Sequence, residues 1–479
     1  MADPVASFKD SLVKQFIWRP ISTILLFAGL SMPTLAEATQ PELVGWDSAT
    51  EILAQIVPPE FPDRDFPITR FGAIGDGKTD CLVAFQTAIT ECANSGGGRV
   101  VVPAGRWLVN GPIHLQSNVN LHLEKDATIA FSTNPKDYLP LVLTRFEGTE
   151  VMNYSPLIYC FEQENIAVTG DGVFDGQAGA DRWWNWKGHW GGTDETGWSK
   201  GDPDQIKDVE KLCQLADAGV SPGERIFGKN HYLRSSFLQA YQSKNILIEG
   251  VKFINSPMWV INPVLSENIT IHGVTVESHG PNNDGCDPES CRNVLIENCV
   301  FNTGDDCIAI KSGRNVDGRR LATPSENIII RGCTMKDGHG GVVLGSEMSG
   351  GIRNIFVENC QMDSPNLERA IRLKSNSLRG GYLENLFVRN IEVGQVSEAI
   401  VSINLQYWNE SGEHFPTVRN IYIDNVTAQK SKYPLYLVGL PERPIESVYL
   451  RNCMFHHAAQ PSVIEHVSQI YFENVSQPR

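Results

Sequence analysis

Glu164-Asn165-Ile166-Ala167-Val168 and Lys244-Asn245-Ile246-Leu247-Ile248 are two copies of one phrase. A polar residue precedes asparagine, a short apolar run follows, and Asn or Gly closes it. The phrase returns at Asn268, Asn293, Asn327, Asn354, Asn385 and Asn420, with Ser447 and Gln469 replacing the asparagine at the end. From Asn245 onward the starts are 23, 25, 34, 27, 31, 35, 27 and 22 residues apart. A period in this range marks a solenoid. The runs are β-branched and aromatic and are bounded by Gly, Asn and Asp, which is strand chemistry. A unit this small cannot bury its own apolar face, so it must stack on its neighbours. Stacked β units of this length form a parallel β-helix, with extra residues leaving as loops on one side.

The fold class is therefore all-β, with no long helical stretch expected after residue 100. Cys299, Cys333, Cys360 and Cys453 hold one place in four repeats. They read as an internal ladder of small buried residues, with disulfides the competing reading. The total of eleven cysteines is odd, and the absence of a C-x-x-C pair argues against a zinc cluster.

The chain ends differ from the repeat. Residues 1–38 read as a signal peptide: Lys14 and Arg19 precede the apolar run Ile21 to Leu30, and Ala36-Glu37-Ala38 supplies a cleavage site. An uncleaved anchor is the alternative, but the run is short for a stable span. A secreted or periplasmic location follows, with no stable membrane insertion once the segment is removed. Residues 39–66 form an N-terminal extension with a helix capped by Asp47 and Ser48, and residues 67–479 form the β-helix. Residues 80–95 read as a helix capped by Thr79-Asp80 and stopped by Gly96-Gly97-Gly98, closing the open end of the solenoid. N-x-S/T sequons start at Asn153, Asn268, Asn409, Asn425 and Asn474. Gly179 to Arg234 is a long excursion holding Trp183, Trp184, Trp186, Trp190 and Trp198. Those rings either stack on sugar or form the loop's own small core.

Carboxylates gather in the middle repeats. Asn282-Asn283-Asp284 lies in one, Gly304-Asp305-Asp306 in the next, then Gly338-His339-Gly340, then Arg372-Leu373-Lys374. Each follows its repeat's asparagine by 12 to 18 residues. Coils sit about 4.8 Å apart, so the set falls on one patch. Singly, Asp-Asp and Gly-His-Gly are turns, Arg-x-Lys is a solvated strand, and clustered aspartates can be a calcium site. Their coincidence on one line supports acid–base chemistry at a glycosidic bond. One carboxyl is held protonated by its charged neighbours and another acts as base or nucleophile.

On these four motifs the chain resembles the polygalacturonases, family 28 of the glycoside hydrolases, over about residues 60 to 475. Members carry Asn-Thr-Asp, Gly- or Gln-Asp-Asp, Gly-His-Gly and Arg-Ile-Lys in that order. Asn283 and Leu373 are the departures. The resemblance implies a right-handed, pectin-lyase-like β-helix that hydrolyses α-1,4-galacturonosidic bonds of pectin with inversion, without metal or other cofactor. It implies Asp305 as general acid and Asp284 and Asp306 as activators of water. It implies that His339 supports the acid and that Asn282, Arg372 and Lys374 bind substrate. Gly304 and the run Gly338 to Glu347 are most like bacterial exo-acting members, and the excursion suits an exo enzyme by closing one end of the cleft. Pectate lyase, rhamnogalacturonan or xylogalacturonan hydrolase, and a β-helix that only binds polysaccharide stand as alternatives. The net charge of −16 disfavours nucleic acid. A pectic polysaccharide would need a local cationic patch against that field.

Overall fold

The computed structural model describes residues 45–189 and 196–476. The expected signal peptide and Trp190 lie outside them. Residues 43–479 form one compact unit. Within it, strands stack in parallel register coil upon coil, as the repeat requires. Lys244–Glu249 pairs with Glu267–His272, that strand with Arg292–Glu297, and so on through Ser325–Arg331, Ile352–Glu358, Tyr382–Gln395 and Thr417–Ser431. The register places Ile246, Ile269, Val294, Ile328, Ile355, Leu386, Ile421, Val448 and Ile470 in one line. All but the last are buried, and each contributes about 1.5–3 kcal/mol by leaving water.

The recurrent asparagine has a conformational cause. Asn165, Asn245, Asn268, Asn293, Asn327, Asn354, Asn385 and Asn420 all have φ between 53° and 60°, a left-handed turn that asparagine tolerates. Most of these side chains donate to the preceding coil: Asn354 Nδ2 to Asn327 Oδ1 at 3.2 Å and Asn385 Nδ2 to Asn354 Oδ1 at 3.1 Å, while Asn293 Nδ2 turns to Gln55 instead. Four of the five sequon asparagines are engaged in the fold. Asn268, Asn425 and Asn474 donate to ladder neighbours, and Asn153 is buried. Asn409, Asn425 and Asn474 are exposed.

The cysteine ladder is present. Strand register continues one interior line through Val251, Val274, Cys299, Cys333, Cys360, Ile391, Val426 and Cys453. All eleven cysteines are free thiols, so the disulfide alternative is not realised.

Helix α1 (Asp47–Gln55) lies on the outer face of the coils, with Ile52 against Leu295, Ile329, Phe356 and Phe387. The cap expected from Asp47 and Ser48 is absent: the N-cap is Trp46, which makes no side-chain cap bond. Trp46 instead sits edge-on to Phe356 and under the Arg389 guanidinium. Helix α2 (Leu82–Asn94) packs Phe85, Ala88, Ile89 and Cys92 into the core at the open end. Asp80 Oδ1 accepts from Leu82 N at 3.0 Å, the capping bond expected there.

The excursion departs from expectation. It contains a 12-residue helix, α3 (Ile206–Asp217), so the absence of long helix after residue 100 does not hold. Leu212 of α3 packs with Phe146, Phe227, Met258 and Trp259. Ile206, Val209, Leu212 and Ala216 carry the helical spacing that would have revealed it. Three of its described tryptophans are structural. Trp183 is buried, and Trp184 and Trp186 pack against the main core. Trp184 Nε1 donates to Ser256 O at 2.8 Å. A second short helix, α4 (Asn315–Leu321), follows.

Candidate active site

Strand register explains why four separate motifs converge. Cys286 bridges Ile308, Ile308 pairs with Val342, and Val342 with Ile371. Asp284 and Asp306 each lie two residues before their member of that line, as does Gly340. Asp305 and His339 each lie three before. The alignment thus pairs Asp284 with Asp306 and Asp305 with His339, a finer match than equal offsets from the asparagines suggest. Oxygens of Asp284, Asp305 and Asp306 lie within 4.8 Å of one another.

Glycines allow the approach. Gly338 has φ +146°, and a Cβ there would stand 2.4 Å from Asp305 O. A Cβ on Gly340 would stand 2.4 Å from Val343 Cγ2. Asn283, where the family has Thr, is buried and structural: its Oδ1 accepts from Ser278 Oγ and Gly280 N, and its Nδ2 donates to the Ser256 and Met258 carbonyls. Asn282 Oδ1 accepts from the buried Arg234 at 2.7 Å. Leu373 is fully buried, so Arg372 and Lys374 face the other way.

The charges are shared unevenly. His339 Nδ1 lies 3.0 Å from Asp305 Oδ1. The Asp305 charge, against the opposing effect of burial, lifts the imidazole to about 9. Burial works to raise Asp305, but His339, then Lys374 and Lys311, hold it well below the usual carboxylate range. Arg372 Nη1 is 3.2 Å from Asp306 Oδ1 and Lys374 Nζ 2.6 Å from Oδ2. These two cations, overriding burial, hold Asp306 low as well. Asp284 is the carboxyl pushed well above its ordinary value, by burial first and then by Asp305 and Asp287. Like charges do raise one member of the trio, as expected, but it is Asp284, while the acid expected at Asp305 stores its proton on the adjoining imidazole.

Three participants were not anticipated. Lys311, Asp287 and Glu347 lie beneath the trio, with Lys311 Nζ 3.5 Å from Asp284 Oδ2, 3.4 Å from Asp287 Oδ1 and 3.5 Å from Glu347 Oε2. The aspartate trio could geometrically hold a cation, yet Lys311, Arg372 and Lys374 already supply positive charge to it.

Asp284 and Asp305 open into a cavity of about 400 Å³, lined also by Asn282 and His339 and on another side by Lys187, His189, Gln205, Ile206, Val209 and Glu210 of the excursion. A second cavity of about 290 Å³ shares Lys374 and Tyr407 with it and runs over later coils past Arg372, Ser402, Lys432 and Tyr436.

The model of glycosyl hydrolases family 28 matches residues 228–470, just over half the chain. The chain belongs to this family. A second model, rhamnogalacturonase A/epimerase, pectate lyase-like, matches residues 66–124. A probable polygalacturonase of Vitis vinifera is 30% identical over 81% of this chain and 74% of its own length. The exo-poly-alpha-D-galacturonosidase of Dickeya chrysanthemi is 27% identical over 85% and 70%. The crystal structure of a hyperthermoactive exopolygalacturonase from Thermotoga maritima is 48% identical, with TM-score 0.87, covering 90% of this chain and 95% of that one. The family 28 chain is thus a right-handed parallel β-helix and a glycoside hydrolase. The lyase and binding-only readings fall away.

Proposed function

We propose that this enzyme hydrolyses the α-1,4-galacturonosidic bonds of polygalacturonate from the non-reducing end, and that it acts outside the cytoplasm after loss of residues 1–38. The observation that carries the reading is the position of the trio. Asp284, Asp305 and His339 line a cavity that the excursion walls on one side, while a groove continues over the later coils on the other. An open β-helix cleft admits a polymer anywhere, so exo attack needs such a wall. The terminal sugar occupies the walled cavity, and the rest of the polymer follows the groove past Arg372 and Lys374. The relatives whose names specify exo attack on galacturonate agree with this.

In this account Asp305, fed by His339, protonates the leaving oxygen, and Asp284 with Asp306 activates water. Arg372 and Lys374 face the groove and complement a uronate carboxylate. Inversion rests on the family resemblance, and proton NMR of the first-formed anomer tests it. Rhamnogalacturonan or xylogalacturonan is the runner-up substrate. Turnover of either with polygalacturonate untouched would displace the proposal.

A further inference from the structure

Lys311 ends the strand Ile308–Ile310 and points into the protein rather than to water. Its side chain is 3% exposed, and its ammonium lies 4.5 Å from the centre of the Trp259 ring. Three carboxylates surround it: Asp284 and Asp287 from the preceding coil and Glu347 from the following one. A buried ammonium is costly unless paired. Burial works to lower its proton affinity, yet Asp284, Glu347 and Asp287 together hold it firmly charged.

The oxygens of the trio divide by what engages them. Both oxygens of Asp306 face cations, Arg372 on one and Lys374 on the other. Asp305 Oδ1 takes His339 and the Asp306 amide. Asp284 Oδ2 faces Lys311, and its Oδ1 is buried without a hydrogen-bond partner among the described residues. Asp284 lines the cavity, so its unpartnered Oδ1 has a lone pair to offer an attacking water.

We propose that Lys311 is a positioning residue: its ammonium, 3.5 Å from Asp284 Oδ2, works against burial to draw Asp284 toward the ionised carboxylate that activates water. The inference rests on the hydrolytic reading of the same site. The other charges facing Asp284 are Asp305 and Asp306 on the next coil and Lys187 and Arg234 from the excursion. Lys311 Nζ lies 3.5 Å from Asp284 Oδ2, in ion-pair contact. Burial pushes Asp287 itself up to about 8, against the pull of Lys311, so below that pH the Lys311 charge is left to Asp284 and Glu347.

The test is the pH–rate profile of Lys311→Met, Lys311→Gln, Lys311→Arg and Asp287→Asn on polygalacturonate. Lys311→Met removes the charge, so Asp284 keeps its proton to higher pH. The acid limb moves upward and kcat below it falls by about tenfold or more, with KM nearly unchanged. Lys311→Arg restores the limb. Asp287 is neutral below about 8, so Asp287→Asn, which keeps the shape, should leave the limb in place. Lys311→Gln keeps the inference decidable if Lys311→Met fails to fold. A limb that stays in place in Lys311→Met or Lys311→Gln, or a loss confined to KM, would overturn the assignment. The infrared band of protonated carboxyls reads the same ionisation without substrate. Inactivity of the wild type on polygalacturonate would therefore count against the proposed substrate alone.

Discussion

Lys374→Met removes an ammonium that lies 2.6 Å from Asp306 Oδ2, with side chains only 8% and 0% exposed, while keeping comparable length. Asp306 then retains Arg372 alone, at 3.2 Å. Breaking a buried pair from one side costs about 3–5 kcal/mol, and the surviving guanidinium places the loss near the low end, about 3 kcal/mol. The dependence on pH has a definite sign. Burial works to raise Asp306, but Lys374 and Arg372 override it and hold the carboxyl below its ordinary 3.8. A carboxylate depressed in this way contributes stability above its unfolded pKa and loses it as pH falls through the folded value. The gap between wild type and variant should be full at about pH 7 and should narrow below about pH 4. Denaturant midpoints followed by the strand signal in circular dichroism measure it. Because Lys374 holds a catalytic carboxylate as well as facing the groove, kcat should fall along with binding, by about tenfold or more. The family resemblance, which gives Lys374 a substrate-binding role, implies mainly a binding defect. A stability gap equal at both pH values, or absent at pH 7, would refute the pairing argument, and a change in KM alone would return Lys374 to a pure substrate clamp.

Asp305→Asn should abolish hydrolysis with folding intact, because an amide keeps the shape but cannot deliver the proton; near-normal turnover in the folded variant would remove Asp305 from that role. In His339→Gln, the stability lost with the Asp305 pair should be full below pH 6.5 and should disappear as pH rises through about 9, the raised value of this imidazole; thermal melts across that window check it, and a constant difference would contradict the pairing. In Gly280→Ala the new methyl would stand 2.2 Å from Trp184 Cε2, so overpacking should cost about 1–3 kcal/mol and loosen the wall, measured as melting temperature together with a rise in longer early products.

Much of this was written in the chain, because the physics was local or repeated. A left-handed turn at one place in every coil selects asparagine, so the ladder from Asn165 to Asn420 is visible as a motif. The interior line at Cys299, Cys333, Cys360 and Cys453 is visible for the same reason. The four catalytic motifs could be placed on one patch because stacking brings equivalent positions together. What failed to show depends on contacts between coils. Lys311 closes an ordinary apolar strand and reads as solvated; only its register opposite Glu289 and the return of Glu347 reveal three carboxylates around it. The ionisation of Asp305 was misjudged because adjacency in sequence showed the like charge of Asp306 but not the 3.0 Å contact with His339. Helix α3 was missed because the tryptophans drew the reading toward a loop, while the helical spacing of Ile206, Val209 and Leu212 lay just beyond them.

The most direct test of the whole account follows polygalacturonate by viscosity and by mass spectrometry of the products in the same reaction. Hydrolysis from the non-reducing end predicts saturated mono- or digalacturonate from the first minutes, reducing ends that rise steadily, and a viscosity that stays high. A steep early fall in viscosity with a ladder of mixed oligomers would contradict exo attack behind the excursion wall, and no release of galacturonate at all would contradict the substrate itself.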